Sequence, residues 1–289
     1  MTYDRADQYV LVFGGQSTGG ALGDTWIFQK GAWVQLHPAT APSARYGATI
    51  AFDSTDWYVV LFGGLGTNGI YFNDTWKFVA GNWSLITPRS AMAPSPRAYA
   101  SMTFDSTKGY AVMFGGLTYG SGGSSGTLLN DTWTFVGRTW SNLSALLSVA
   151  PSPRGLAFFA FDTLDGYSVL FGGGNKTSAL SDTWEFASGR WSVIASPGSP
   201  SARFDGGMAW DGNLGALVLH GGGNLTGTFF ADTWRYHAGT WTKMSVAGPP
   251  REGSALAWDG AVKAVVEFGG DGHLGSGQVV FLNDTWEFS

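Results

Sequence analysis

The chain has 289 residues, of which 13% are charged, with a formal net charge of −5 and no cysteine. These numbers exclude a basic nucleic-acid-binding surface, disulfide bonds and thiolate chemistry, so we expect no nucleic-acid partner. No uninterrupted apolar run approaches the roughly 18 residues of a membrane-spanning helix, so we expect no membrane insertion either.

A repeat of about 50 residues runs through the whole chain. Each unit contains four short stretches rich in aromatic and β-branched residues and bounded by Gly, Asp or Pro, which is the pattern of β-strands. In the second unit these stretches are strand A (45–53), strand B (58–64), strand C (74–78) and strand D (80–85). Strand C always begins with Asp-Thr-Trp, at Asp24, Asp74, Asp131, Asp182, Asp232 and Asp284.

The six units predict six blades of one β-propeller domain over 1–289, because a repeat of this length built from strands is typical of propellers. The last unit ends after strand C. We therefore expect a three-stranded last blade whose strand C is an edge that could pair with a neighbouring strand. The approximate blades are 1–44, 45–96, 97–153, 154–202, 203–250 and 251–289.

The repeat unit resembles the Kelch repeat over essentially the whole chain. Strand B ends in Gly-Gly in all six units, with an aromatic residue before it in five, and strand D carries a tryptophan in five. The resemblance implies an all-β, six-bladed Kelch-type β-propeller with four-stranded antiparallel blades. We interpret the tryptophans as filling the wedge between blades and the glycine pairs as permitting backbone angles that other residues avoid.

Two connections within the unit have constant length and two vary. The Asp that closes strand A lies 9 positions before the residue preceding Gly-Gly, and the Asp of Asp-Thr-Trp lies 9 positions before the strand D tryptophan. The residue before Gly-Gly and the next Asp-Thr-Trp, by contrast, are 11, 12, 17, 11, 12 and 16 positions apart. The connection from strand D to the next strand A also varies.

Both variable connections lie at the same end of an up-and-down blade, and we predict that this end binds ligands. The longest B–C loops, 117–130 and 271–283, contain Tyr119 and His273, which we take as candidate ligand contacts. The Gly- and Ser-rich sequence that follows Tyr119 is typical of a flexible segment.

Five arginines open strand A at this end of the blades. A group of guanidinium ions there could hold a carboxylate or sulfate, which makes them candidate ligand-binding residues. The alternative, which we favour, is that they pair with the Asp-Thr-Trp aspartates, because what recurs in every blade is usually architecture. The arginines are Arg45, Arg97, Arg154, Arg203 and Arg251.

Four polar residues break the repeat in blades 5 and 6. His220 replaces the aromatic residue before Gly-Gly, and Glu267 occupies an otherwise apolar position of strand B. Glu252 follows Arg251 and is a further candidate ligand contact, as is His273 in the long loop. A carboxylate and a histidine in apolar strand positions need partners or titrate abnormally, unless they reflect sequence divergence alone.

Two functions are compatible with these features. The favoured one is a non-catalytic recognition or scaffold module for a protein or glycan; the alternative is a sugar-acid mutarotase or isomerase with Glu267, His220 and Arg251 as catalytic groups. We expect no cofactor and no metal, since no phosphate-binding Gly-x-x-x-x-Gly-Lys is present and the Tyr-Cys cofactor of Kelch oxidases needs a cysteine. The low Lys content and abundant Ser, Thr and Gly suggest an extracellular or cell-surface protein, as does a resemblance to Kelch arrays of prokaryotic surface proteins.

Overall fold

The computed structural model describes residues 1–89, 92–119, 126–273 and 279–288. These residues divide into two compact units, Met1–Ser148 and Val149–Ser289. The one helical element in the described ranges is a 3-10 turn at Ser144–Leu146. None of these ranges contains a helix that is long and apolar enough to cross a membrane.

The first unit contains three four-stranded antiparallel sheets, β1-β2-β3-β4, β5-β6-β7-β8 and β9-β10-β13-β14, and a two-stranded sheet, β11-β12. Its strands are β1 Thr2–Asp4, β2 Tyr9–Ser17, β3 Gly20–Gln29, β4 Ala32–Leu36, β5 Thr49–Asp53, β6 Tyr58–Phe62, β7 Thr75–Val79, β8 Asn82–Ile86, β9 Ser101–Asp105, β10 Tyr110–Phe114, β11 Leu117–Thr118, β12 Thr127–Leu128, β13 Thr132–Val136 and β14 Thr139–Asn142.

The second unit contains the sheets β15-β16-β17-β18, β19-β20-β21-β22 and β23-β24-β27, and the two-stranded β25-β26. Its strands are β15 Phe158–Asp162, β16 Tyr167–Phe171, β17 Thr183–Ala187, β18 Arg190–Ile194, β19 Gly207–Asp211, β20 Ala216–His220, β21 Asp232–His237, β22 Thr240–Ala247, β23 Ala255–Asp259, β24 Ala264–Phe268, β25 Asp271–His273, β26 Val279–Phe281 and β27 Thr285–Phe288.

These sheets confirm the predicted fold class, an all-β six-bladed propeller. Each of the six repeats forms one antiparallel sheet, and the last sheet has three strands in the described residues, as predicted. The small sheets β11-β12 and β25-β26 were not predicted; they lie in the two longest B–C loops. The assignment of all six blades to a single domain stays a prediction.

Strand burial follows from the position of each strand in its blade. All five residues of β6 are buried, because this inner strand is covered on both faces. The outer strand β8 alternates, with Trp83 and Ile86 buried while Asn82, Ser84 and Leu85 are exposed. The sequence pattern therefore changes from continuous apolar runs in inner strands to mixed runs in outer ones.

The strand D tryptophans join neighbouring blades within each unit. Trp140 of the third blade packs on Phe62 of the second, with ring centroids 5.0 Å apart. Its indole N–H donates to the hydroxyl of Thr75, at 3.0 Å. The same contact links Trp83 to Thr25 and Trp241 to Thr183. In these three pairs the threonine of Asp-Thr-Trp is the acceptor for the tryptophan of the next blade.

A second link between blades uses the backbone near the start of strand A. Tyr99, two positions after Arg97, has a left-handed φ of 58° and donates its N–H to the carbonyl of Gly47 (2.7 Å) in the preceding blade. Asp205, with φ 57°, donates in the same way to Leu156 (2.9 Å). Left-handed backbone is unfavourable for residues other than glycine, so this link has an energetic cost at Tyr99 and Asp205.

Candidate functional site

The five strand A arginines are buried and paired. Arg97 is 1% exposed, and its guanidinium group donates to both carboxylate oxygens of Asp131, at 2.6 and 2.8 Å. It also donates to the carbonyls of Gly115 (2.9 Å) and Ser95 (3.1 Å). The same ion pair occurs in each unit that has the arginine: Arg45–Asp74, Arg97–Asp131, Arg154–Asp182, Arg203–Asp232 and Arg251–Asp284.

This geometry supports the structural interpretation of the arginines. Their side chains are at most 1% exposed, whereas the paired aspartates are 18–44% exposed, so a ligand would meet the carboxylates first. The hydrogen bond from Arg251 lowers the pKa of Asp284 because it stabilises the charged carboxylate. Direct ligand contact by the arginines stays an untested prediction.

The repeat-breaking residues of blades 5 and 6 form one buried polar cluster. The side chains of His220, Glu267 and Arg251 are all 0% exposed. Glu267 accepts a hydrogen bond from the hydroxyl of Ser254 (2.7 Å) through one oxygen. Its other oxygen lies 3.8 Å from both the Nε of Arg251 and the Nε2 of His220, beyond hydrogen-bonding distance. The structure therefore brings together the three residues of the enzymatic hypothesis, but buries all three.

His220 has a structural explanation. In blades 1, 2 and 4 the Asp-Thr-Trp threonine accepts from the tryptophan of the following blade. Blade 5 is followed by blade 6, whose outermost described strand is β27. Here the Nδ1 of His220 lies 3.0 Å from the Thr233 hydroxyl, and its ring lies 5.0 Å from that of Phe288. The histidine thus supplies the hydrogen-bond partner and the aromatic contact that a tryptophan supplies elsewhere.

Burial changes the titration of this cluster in opposite directions. Desolvation lowers the pKa of His220 to about 4 and raises that of Glu267 to about 7. The hydrogen bond from Ser254 and the charge of Arg251 oppose the shift of Glu267 but do not cancel it. Both groups are therefore held towards their neutral forms by the apolar surroundings.

Glu267→Gln is expected to stabilise the protein in a pH-dependent manner. Between pH 4.5, the ordinary pKa of Glu, and about 7, the folded state binds more protons than the unfolded state, so the free energy of unfolding of the wild type falls as pH rises. At pH 8 the variant should be more stable by up to about 3 kcal/mol, and below pH 4.5 the difference should vanish. Urea denaturation of both proteins at stepped pH measures this difference.

A matched control is Glu287→Gln, because Glu287 is an exposed glutamate of the same blade. We expect the difference in free energy of unfolding between this variant and the wild type to change little with pH. The interpretation of Glu267 is contradicted if Glu267→Gln has the same effect at pH 5 and pH 8. The lowered pKa of His220 has the opposite effect on the pH dependence of stability. Because of it, the free energy of unfolding of both proteins should fall as the pH is lowered from 6.5 towards 4.

Glu252 lies next to two carboxylates that we did not predict from the sequence. Its backbone pairs with that of Asp271, with N···O distances of 3.1 and 2.7 Å. Burial, together with the negative charges of Glu252 and Asp271, raises the pKa of Asp205 to about 7. No group of three or more His, Cys, Asp or Glu side chains in the described part of the chain is arranged to hold a metal.

Tyr119 belongs to a cluster of four tyrosines at the end of blades 2 and 3 where the variable loops lie. Its ring centroid lies 5.6 Å from that of Tyr71, and the rings of Tyr46 and Tyr99 are 6.2 Å apart. Tyr46 pairs through its backbone with Leu65, which in turn bridges to Tyr71. The two tyrosine pairs are therefore adjacent.

The sequence analysis does not single out the other three tyrosines of this cluster, because their proximity depends on contacts between segments far apart in the chain. Tyr46 and Tyr99 follow strand A arginines by one and two positions, and Tyr71 lies in the B–C loop of blade 2. The available signal was the shared end of the blades, since all four positions flank a variable connection. The backbone of His273 ends β25, and its side chain lies outside the described residues, as do residues 120–125 after Tyr119.

Comparisons with known proteins agree with the repeat pattern. A family model described as the KLHDC2/KLHL20/DRC7 Kelch-repeats domain matches residues 1–199. Multiple epidermal growth factor-like domains protein 8 of Rattus norvegicus is 27% identical over 221 residues, which is 74% of this chain and 6% of that protein. An F-box/kelch-repeat protein of Arabidopsis thaliana is 30% identical over 151 residues, 47% of this chain and 30% of that protein.

A further similarity is to tRNA wybutosine-synthesizing protein 4 of Emericella nidulans, which is 33% identical over 138 residues, or 44% of this chain and 12% of that protein. The chain thus spans between 6% and 30% of the length of these three relatives. The Kelch repeat is named both in the description of the family model and in that of the Arabidopsis thaliana relative.

Proposed function

Because the chain belongs to the Kelch-repeats domain family, we propose that it is a non-catalytic recognition module that binds a partner protein through its loop face. The loop face is the end of the blades at which the B–C and D–A connections lie. The observation that carries the proposal is that all variation in connection length occurs at this end, while the A–B and C–D hairpins are constant. Variable loops on a rigid scaffold are where binding residues concentrate.

Two structural features support this choice of face. The two longest B–C loops contain the additional sheets β11-β12 and β25-β26, so they have regular hydrogen bonding of their own. The constant A–B hairpins, by contrast, are closed by a buried aspartate such as Asp53, which accepts from the backbone N–H groups of Thr55 (2.9 Å) and Asp56 (3.0 Å). Because these hairpins have the same structural role in each blade, they offer little variation from which binding specificity could arise.

The enzymatic alternative is not favoured by any specific observation. Acid/base catalysis requires that the catalytic groups reach the substrate. The side chains of Glu267, His220 and Arg251 are 0% exposed, so a substrate does not reach them in this structure.

Site-specific photo-crosslinking tests the proposal. A photoreactive amino acid replaces Ile70 or Leu225, exposed residues of B–C loops, or Trp57 or Leu164, exposed residues of A–B hairpins. Each protein is irradiated in an extract of its own source cells, and adducts are identified by mass spectrometry. We expect a common partner protein to be crosslinked from the loop positions and not from the hairpin positions. Crosslinking of the same partner from the hairpin positions would reject the loop face, and retention on a glycan array without protein adducts would favour a glycan ligand.

We further propose an extracellular or cell-surface location. The composition, which is rich in Ser, Thr and Gly and lacks Cys, supports it. Fractionation of source cells followed by immunoblotting should find the chain in the surface or secreted fraction, and recovery only from the cytosol would exclude this location.

A further inference from the structure

We propose that a groove between blades 2 and 3 binds a phosphate monoester, a ligand that the proposed function does not include. Strands of blade 2, the connection that leaves blade 2 and the C–D hairpin of blade 3 form the groove. It encloses about 590 Å³, which lies within the size range of small-molecule sites. We call it the blade 2–3 groove, and its charged residues are Asp56, Lys77, Arg89 and Arg138.

Cationic side chains are concentrated in this groove, although the chain as a whole is acidic. The chain has 16 Lys and Arg residues, and the five strand A arginines form buried ion pairs, which leaves 11. Three of these 11 line the groove, together with one carboxylate. The groove therefore has a formal charge of +2 in a chain whose net charge is −5.

The three cations of the groove are not neutralised by ion pairs. In the ranges that the structure describes, no salt bridge to Lys77, Arg89 or Arg138 occurs, whereas each strand A arginine has one. The sequence on both sides of Arg89 also contains no Asp or Glu from residue 75 to residue 104. A concave surface lined by charges of one sign attracts a ligand of the opposite sign.

Arg138 stands at a position that glycine occupies in the other four C–D hairpins. The position lies two residues before the strand D tryptophan, and φ is 69° at Arg138. The four glycines have φ between 75° and 81°; they are Gly31, Gly81, Gly189 and Gly239. Left-handed backbone favours glycine over arginine, so the geometry of the hairpin does not explain the arginine. Such a local exception to the repeat points to a role in binding.

Hydrogen bonds hold the hairpin of blade 3 against blade 2. The backbone N–H of Arg89 donates to the carbonyl of Arg138 at 2.9 Å. The guanidinium group of Arg138 donates to the carbonyl of Thr87 at 3.1 Å. Tyr58 and Ile86, which also line the groove, are buried and supply rigid apolar surface. The two arginines are therefore placed by the fold before any ligand binds.

The corresponding positions of two other blade pairs carry no cation. Residues correspond when they have the same offset from a repeat aspartate or from the strand D tryptophan. Between blades 4 and 5, the counterparts of the four charged residues are Asp165, Glu185, Pro197 and Gly239. Between blades 1 and 2, they are Asp7, Ile27, Ala39 and Gly81. The cations are therefore a property of one groove, whereas residues that serve the architecture recur from blade to blade.

A phosphate monoester matches the charge and the donors of the groove. Its charge of about −1.5 to −2 at neutral pH balances the +2 of the groove, and its three terminal oxygens accept from separate donors. Two guanidinium groups and one ammonium group are such donors. Asp56 is engaged by the hydroxyl of Tyr58, at 3.5 Å. A carboxylate ligand brings one charge and two oxygens, so it satisfies fewer of these groups.

Titration calorimetry of the full chain with phenyl phosphate tests the proposal. We expect saturable binding at one site that weakens as salt is added, because salt screens exposed charges. Lys77→Gln and Arg138→Gly should each lower the affinity about tenfold or more, since each removes a charge-assisted hydrogen bond. Benzoate, with a single charge, should bind more weakly than phenyl phosphate by a similar factor.

Arg138→Gly also separates binding from folding. Its midpoint of urea unfolding should equal or exceed that of the wild type, because glycine adopts the backbone conformation of this position without strain. Arg190→Gln is the matched control, since Arg190 is an exposed arginine at the start of a strand D in blade 4. Its affinity for phenyl phosphate should equal that of the wild type.

Three results would overturn the proposal. The first is an absence of saturable binding of phenyl phosphate to the wild type. The second is a loss of affinity in Arg190→Gln as large as in Lys77→Gln and Arg138→Gly, which would indicate a nonspecific effect of charge. The third is binding of benzoate as tight as that of phenyl phosphate, which would reject the assignment to a phosphate.

A second titration identifies the source of the phosphate group. The probe is a short uncharged peptide with one phosphotyrosine, blocked at both ends, and it is compared with phenyl phosphate. Equal affinities assign the groove to a free small molecule, and much tighter binding of the peptide assigns it to a phosphorylated protein segment. Both assignments require that Arg138→Gly loses the binding, and retention of peptide binding by this variant would reject the groove as the site.

Discussion

Asp131→Ala is expected to lower the free energy of unfolding by about 3–5 kcal/mol. The substitution removes the carboxylate that pairs with Arg97 at 2.6 Å and leaves a guanidinium group that is 1% exposed without a counter-charge. Arg97 also links the second and third blades, because its carbonyl accepts from the N–H of Gly64 at 2.8 Å. Urea denaturation followed by tryptophan fluorescence measures the loss.

Asp24→Ala provides the matched control for this prediction. Asp24 opens the equivalent strand in the first blade and accepts from the indole N–H of Trp26 (2.6 Å), but no salt bridge to it is found in the described residues. We expect it to cost only about 1 kcal/mol, the contribution of one hydrogen bond. Equal losses for Asp131→Ala and Asp24→Ala would show that the buried ion pair is not what stabilises the blade.

Trp140→Ala should have an effect of similar size, about 3–5 kcal/mol, because it removes a large buried aromatic side chain. Trp140 is 1% exposed and packs between Phe62 of the preceding blade (5.0 Å) and Phe135 of its own (4.9 Å). The substitution therefore creates a cavity where two blades meet within the first unit. Thermal and urea unfolding of the variant should both shift.

Two further variants separate the contributions of Trp140. Thr75→Val keeps the packing but leaves the indole N–H without its acceptor, and we expect a loss of about 1–3 kcal/mol. Trp57→Ala removes a tryptophan that is 56% exposed and should cost less than about 1 kcal/mol. If Trp57→Ala were as destabilising as Trp140→Ala, the contact between blades would not be the source of the effect.

These stability variants also bear on function. A binding site on loops is only as well defined as the blades that hold it, and Tyr99 is hydrogen-bonded to the blade before it. Loss of Trp140 or Asp131 should therefore weaken binding of the partner protein indirectly, with altered unfolding.

Sequence reasoning is most successful for features that repeat locally. The Gly-Gly ending of strand B predicted a special backbone, and Gly63 has φ 68°, where an added Cβ would lie 2.5 Å from the carbonyl oxygen of Arg97. The constant A–B spacing corresponds to a hairpin closed by the aspartate in each blade. Such features depend on neighbours in the chain, so every copy of the unit repeats the same signal.

Contacts between blades could not be read in this way. Trp140 and Thr75 are 65 residues apart, and nothing in either strand indicates that one is the donor for the other. The pairing of Arg97 with Asp131, at 2.6 Å, likewise joins residues 34 positions apart, and no local pattern identifies the partner.

The sequence by itself determined the six-bladed propeller, the three strands described for the last blade and the end of the blades where connections vary in length, because these follow from a periodic pattern of strands and turns. Only the tertiary structure decided that His220 substitutes for a tryptophan contact, that Glu267 is buried beside Arg251, and that Tyr46, Tyr71, Tyr99 and Tyr119 meet. The physical reason is that burial and side-chain contact depend on which faces pack together, and this is set by the assembled blades and not by the order of residues in any one of them.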